Sequence, residues 1–152
     1  FNYGELKNAR AMANAIVTAR KIKEIKSSDE LKSVLAAFLP GFKSNKILAQ
    51  IYQAIRIEVN QEMEVLKEFL GQSLELLKPG GRLSIISYHS LEDRLVKRFV
   101  KNGMFEGEPE RDFFGNFEVP FKTIEKLIVP SDAEIAINNR ARSAKLRVAE
   151  KK

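Results

Sequence analysis

The sequence predicts an α/β protein in which helices come first and a sheet follows. Three observations carry that expectation. Apolar residues recur at helical spacing across residues 4–77. The period changes after Pro79-Gly80-Gly81, where Arg82 to Tyr88 is short and rich in β-formers. Two more strand-like stretches, 121–129 and 143–149, lie beyond it.

Each element follows from local chemistry. Leu6, Ala9, Ala13, Ile16 and Val17 predict a long first helix over 4–24. Ser27 with Glu30 reads as a capping box, and Leu31, Val34, Leu35, Phe38 and Leu39 form the stripe behind it. Pro40-Gly41 is expected to stop that helix. Ile47 to Val59 and Met63 to Leu77 keep the helical spacing, as one helix or as two parting near Asn60. The strand 82–88 leads into Ser90, a good N-cap with Glu92 and Asp93 in the first turn, and Gly103 ends the helix near Asn102. On that helix Leu91, Leu95, Val96, Phe99 and Val100 oppose a basic set, Arg94, Lys97, Arg98 and Lys101. Residues 104–120 read as a long loop, and Val129 to Glu134 opens a short helix. In the last strand Leu146 and Val148 suit the buried face, with Lys145 and Arg147 on the other.

Composition excludes several classes. The 152 residues include no cysteine and one histidine. A disulfide framework, a thiolate or multi-histidine metal site and a cysteine nucleophile are therefore excluded. No apolar run nears the ~18 residues of a membrane span, which predicts a cytoplasmic protein without membrane association. The formal charge is +6, unevenly spread. Residues 104–137 are net −5, whereas 138–152 are net +5 and 94–101 hold four bases and no acid. Clustering of this kind suits a phosphate-bearing partner, although solvated helix faces and basic tails have the same look.

The turn Tyr88-His89-Ser90 carries the most chemistry. It lies at the carboxyl end of a strand, where ligands of open α/β sheets collect, and before a helix whose first N–H groups attract anions. His89 and Ser90 are thus candidates to face a bound nucleotide, against the plain alternative of a hydrogen-bonded histidine and a simple cap. Tyr88 is a candidate stacking group or a core residue. Arg140 and Arg142 suit bidentate phosphate contact, against the alternative of a surface loop entering an edge strand.

Residues Ile86 to Phe99, ISYHSLEDRLVKRF, closely resemble the ISFHSLEDRxVKxF signature of the MraW-type 16S ribosomal RNA cytosine methyltransferases, with Tyr88 in place of Phe. Asn139 to Arg147 resembles the family's NxRARSAKLR segment. Tyr3-Gly4-Glu5, Gln53 to Asn60 and Leu77 to Leu83 match further family segments in the same order. The resemblance covers nearly the whole chain. It implies a class I (Rossmann-like) methyltransferase fold with an inserted helical domain. It also implies methyl transfer from S-adenosylmethionine to the exocyclic N4 amine of a decoding-region cytidine of the small ribosomal subunit. On this resemblance His89 and Ser90 fall on the substrate side, and Arg94, Lys97, Arg98, Lys101, Arg140 and Arg142 fall near RNA phosphates. Arg56 and Asn60 match family positions on a helix leading back to the catalytic domain.

The family holds its cofactor through a Gly-rich loop after the first strand, an acid ending the second and an Asp-Leu-Gly stretch ending the fourth. None occurs here, and Pro79-Gly80-Gly81 precedes a strand instead of following one. The expectation is therefore a fragment without its N-terminal strands and without cofactor-binding residues. Residues 1–60 would be the latter part of the helical insert, and 61–152 the C-terminal half of the catalytic domain. Such a piece is expected to be inactive alone, and to self-associate or be accompanied by its missing half, because an open strand edge invites pairing. The competing expectation is a non-catalytic RNA-binding module using the Arg94–Lys101 basic helix.

Overall fold

Asn8, not Gly4, opens the first helix. In the computed structural model, which describes residues 1–152, α1 spans Ala9–Ile22 and α2 spans Ser28–Leu35. Residues before Asn8 form turns that pack on α3 (Ser44–Asn60). The Gly4 carbonyl accepts from Gln50 Nε2 at 3.0 Å and the Tyr3 carbonyl from Gln53 Nε2 at 3.3 Å. A Cβ on Gly4 would stand 3.0 Å from the Gln50 carbonyl oxygen, so glycine allows this close approach. Ser27 caps α2 by accepting from Glu30 N–H, but the Glu30 carboxylate reaches past it to Lys26 N–H at 2.7 Å. The helix ends at Leu35, ahead of Pro40, because a 3₁₀ turn over Ala36–Phe38 tightens its last residues.

Two helices, not one, follow. Gln61 adopts a left-handed φ of 51° and separates α3 from α4 (Glu62–Leu76). Arg56 braces the break with a two-pronged ion pair to Glu62, Nε at 2.7 Å and Nη2 at 3.0 Å, and Asn60 Nδ2 joins at 3.3 Å. The chain divides here into two compact units, Phe1–Glu62 and Met63–Lys152. In the first, Met12, Leu35 and Ile51 form a small core from one residue of each of α1, α2 and α3.

The second unit is a mixed α/β arrangement. Its sheet has the order β1 (Arg82–Ser87), β3 (Lys145–Lys151), β2 (Phe121–Thr123). Both outer strands pair antiparallel with β3, so β1 and β2 run parallel to each other with the last strand threaded between them. α5 (Ser90–Asn102) links the outer strands through the long loop 103–120. Gly103 ends α5 at φ 73°, and a Cβ there would stand 2.7 Å from Pro120 Cδ. The core gathers Leu70 of α4, Leu83, Val96, Phe99, Val100, Phe121 and Ala149. Phe99 stacks on Phe105 at 4.8 Å and meets Phe121 at 5.9 Å. Lys151 Nζ donates to the Leu74 and Leu77 carbonyls at 2.6 and 2.7 Å, which places a cation on the negative end of α4.

Two strand expectations change. Residues 121–129 do not form one strand: β2 stops at Thr123, Ile124 N–H still donates to the Val148 carbonyl, and the segment pairs with β3 again at the Ile128–Leu146 bridge. Five steps along this segment then face three along β3, so two residues bulge out of the ladder. β3 starts at Lys145, later than expected, because Asn138 Oδ1 accepts from Arg140 N–H and winds Asn139–Ser143 into a 3₁₀ turn. A short helix, α6 (Asp132–Ile137), precedes that turn with Ser131 as its cap.

Candidate functional site

The Tyr88–Ser90 turn continues from the carboxyl end of β1 into α5. His89, not Ser90, is the cap: its Nδ1 accepts from Glu92 N–H at 3.3 Å. The Glu92 carboxylate returns the contact, accepting from Tyr88 N–H at 2.9 Å and His89 N–H at 3.3 Å. The reason lies three residues on. A capping box at Ser90 would need Asp93 to reach back, and Asp93 is held elsewhere. With His89 as the cap, that position falls to Glu92, whose longer side chain spans the gap. Ser90 is left exposed as the first helical residue.

Acceptance at Nδ1 leaves the proton of the neutral imidazole on Nε2. That nitrogen is buried and has no hydrogen bond, although Glu92 Oε1 lies 3.2 Å away. The N-terminus of α5 therefore carries its own carboxylate, which disfavours a second anion there. Tyr88 departs from the core-packing alternative and leaves 57% of its surface exposed.

Behind the turn sits an ion cluster that sequence reasoning missed. Asp93 is buried and accepts from Arg147 Nε at 2.7 Å and Nη2 at 3.2 Å, with Lys145 Nζ at 3.4 Å. Burial alone would raise the Asp93 carboxyl. The Arg147 hydrogen bonds and charge, with Lys145 behind them, outweigh burial and hold the group below its usual range. Lys145 and Arg147 thus lie on the helix-facing side of β3, contrary to the expected alternation. The buried Asp93 draws them in. The signal for this was present in the sequence as an acid between two apolar residues of the buried stripe, Leu91 and Val96.

The basic residues of α5 separate into two kinds. Arg94, Lys97 and Lys101 are exposed at spacings of three and four. Arg98 is half-buried, and its Nη2 donates to the Gly107 carbonyl, which fastens the 103–120 loop to the helix. Arg140 and Arg142 are exposed on either side of buried Ala141. Lys145 pairs in register with Ser87, so the Arg140–Arg142 turn and the Tyr88–Ser90 turn lie at the same end of the sheet.

The profile of the MraW methylase family matches residues 1–152. The chain belongs to that family. The ribosomal RNA small subunit methyltransferase H of Flavobacterium johnsoniae is 77% identical over 151 residues, covering 99% of this chain and 50% of that protein. The protein of the same name from Flavobacterium psychrophilum is 73% identical, with 99% and 52% covered. That from Bacteroides thetaiotaomicron is 54% identical, with 99% and 50% covered. The chain spans about half the length of these curated relatives. No helix in this MraW-family chain is long and apolar enough to cross a membrane.

S-adenosylmethionine, the donor used by MraW methylases, finds no cradle among these residues. No glycine-rich turn leads from a strand into a helix. The turn from β1 into α5, Tyr88–Ser90, contains no glycine, and its Tyr88 and His89 N–H groups are engaged by the Glu92 carboxylate. The residues present do not fit the donor.

Proposed function

We propose that this chain is the RNA-facing and structural half of a small-subunit ribosomal RNA methyltransferase. The whole protein would transfer a methyl group from S-adenosylmethionine to the N4 amine of a decoding-region cytidine. The observation that carries the proposal is the family match over residues 1–152 joined to a sheet end that holds both the Tyr88–Ser90 turn and the Arg140–Arg142 turn. Ligands of open α/β sheets gather at such an end. Residues 1–60 act as part of an inserted helical domain and 61–152 as the C-terminal half of a Rossmann-like catalytic domain. Support for the latter is the parallel pair β1 and β2 linked through α5.

The donor is held by the part of the protein that this chain does not match in its relatives. β1 stands at a sheet edge with no second partner, and Ile86 on it is 58% exposed. An edge of this kind suits further strands, or a second copy when those strands are lacking. The protein works in the cytoplasm on ribosomal RNA. Within it, Arg94, Lys97, Lys101, Arg140 and Arg142 position phosphates, and His89 and Tyr88 face the substrate. Their contribution is placement of the cytidine, the chief need of a reaction in which a weakly nucleophilic amine must be aligned.

A chimaera tests this. With this chain in place of the matching half of the Flavobacterium johnsoniae relative, radiolabelled methyl groups should reach small-subunit ribosomal RNA. This chain alone should show neither transfer nor binding of S-adenosylmethionine by titration calorimetry. A folded chimaera that binds the donor and labels no RNA would refute the assignment, as would donor binding by the chain alone.

A further inference from the structure

We propose that Phe42, with Lys43 and Lys46, forms a stacking platform for an unpaired RNA base on the helical unit. The proposal rests on the RNA-directed function above and extends it to a part of the molecule that the sequence motifs do not mark. Phe42 sits on the 3₁₀ turn Gly41–Lys43 between α2 and α3 and leaves 86% of its surface to solvent. The turn is well fixed: Lys43 N–H donates to the Pro40 carbonyl at 2.9 Å, and Ser44 Oγ donates to the Leu39 and Pro40 carbonyls at 3.2 and 3.0 Å. Lys43 Nζ lies 5.0 Å from the centroid of the Phe42 ring. A cation then covers one ring face, and the other is open to water.

The charge around the ring identifies the partner. No acid occurs between Leu31 and Ile57. Lys43 and Lys46 are exposed and make no ion pair. The two phenylalanines of the 103–120 loop give the contrast. Phe113 and Phe114 are 97% and 84% exposed, yet they stand among Glu108, Glu110 and Asp112, which repel a phosphate backbone. The Phe42 turn combines an open aromatic face with unpaired cations, the pairing by which proteins hold single strands: bases stack on the ring and phosphates meet the lysines. A duplex, whose bases are already stacked, gains little from it.

Fluorescence anisotropy of this chain with a short labelled oligouridine, and with a fully paired RNA hairpin as control, tests the platform. Phe42→Ala should weaken oligouridine binding ~10-fold or more, while Phe42→Trp should retain it. The hairpin should be little affected by either. Lys43→Ala with Lys46→Ala should lower the salt dependence of oligouridine binding by ~1.4 in logarithmic slope. Thermal melts should be unchanged, because the side chains are exposed. Oligouridine affinity of Phe42→Ala within about twofold of the unaltered chain, or equal losses on both RNAs, overturns the proposal. If Lys97→Ala with Lys101→Ala weakens RNA binding and Phe42→Ala does not, this proposal alone falls. If the unaltered chain binds neither RNA, the functional assignment falls with it.

Discussion

Helix α5 and strand β3 carry the same charge in the sequence and use it in opposite ways. On α5, Lys97 and Lys101 point to water without a carboxylate partner, whereas on β3 Arg147, Lys145 and Lys151 are all engaged inside the unit. The difference comes from what each cation finds within reach. Asp93 lies buried opposite β3, and the carbonyls at the end of α4 lie open beside Lys151. A count of basic residues therefore overstates the surface available to RNA. Arg98 makes the same point within α5, since its guanidinium holds the loop at Gly107.

The largest effect should come from breaking the inward-facing set. Asp93→Ala leaves the Arg147 guanidinium without its anion and should cost ~3 kcal/mol. For a chain of this size that lowers Tm by about 10 °C, as read by circular dichroism; a change under about 2 °C would show that the cluster is not structural. The pH dependence follows from the depressed Asp93 carboxyl. Its stabilisation is fully present above the ordinary carboxylate range near about 4 and is lost as pH falls through the lower native value. Asp93→Asn should flatten that acid limb in melts taken at successive pH values.

The outward-facing set should respond in binding, not in stability. Lys97→Ala with Lys101→Ala should leave the melt unchanged, weaken RNA binding and reduce its salt slope by ~1.4. Arg98→Ala should do the reverse: RNA affinity stays, and limited proteolysis within 103–120 accelerates as the loop loses its tether. Smaller again is the helix cap. His89→Ala should cost ~1 kcal/mol, while Ser90→Ala should stay within ~0.5 kcal/mol. Equal losses at the two positions would return the cap to Ser90.

Much of the fold was legible in the residues. Gly103 marks the end of α5, the segment ending at Glu134 opens α6, and the change of period at Pro79 separates helices from sheet, because each depends on local backbone chemistry. The readings that failed depended on partners distant in sequence. Whether Arg147 faces in or out is decided by Asp93, 54 positions away. Whether 121–129 stays in the ladder is decided by its register with β3. At the candidate site the residues could be named from the sequence, but not the exchange of hydrogen bonds between His89 and Glu92. A histidine seldom serves as a cap, and the neighbouring serine is the usual choice.

The threading of β3 between β1 and β2 also governs how the second unit comes into being. Of the three strands, the middle one is translated last. Until it leaves the ribosome, β1 and β2 lack the strand that joins them, and Leu83 and Phe121 wait without the Ala149 that lies between their strands. The seam between β1 and β2 therefore closes only at the end of the unit's synthesis, which leaves a window in which chaperone binding or premature association competes with closure.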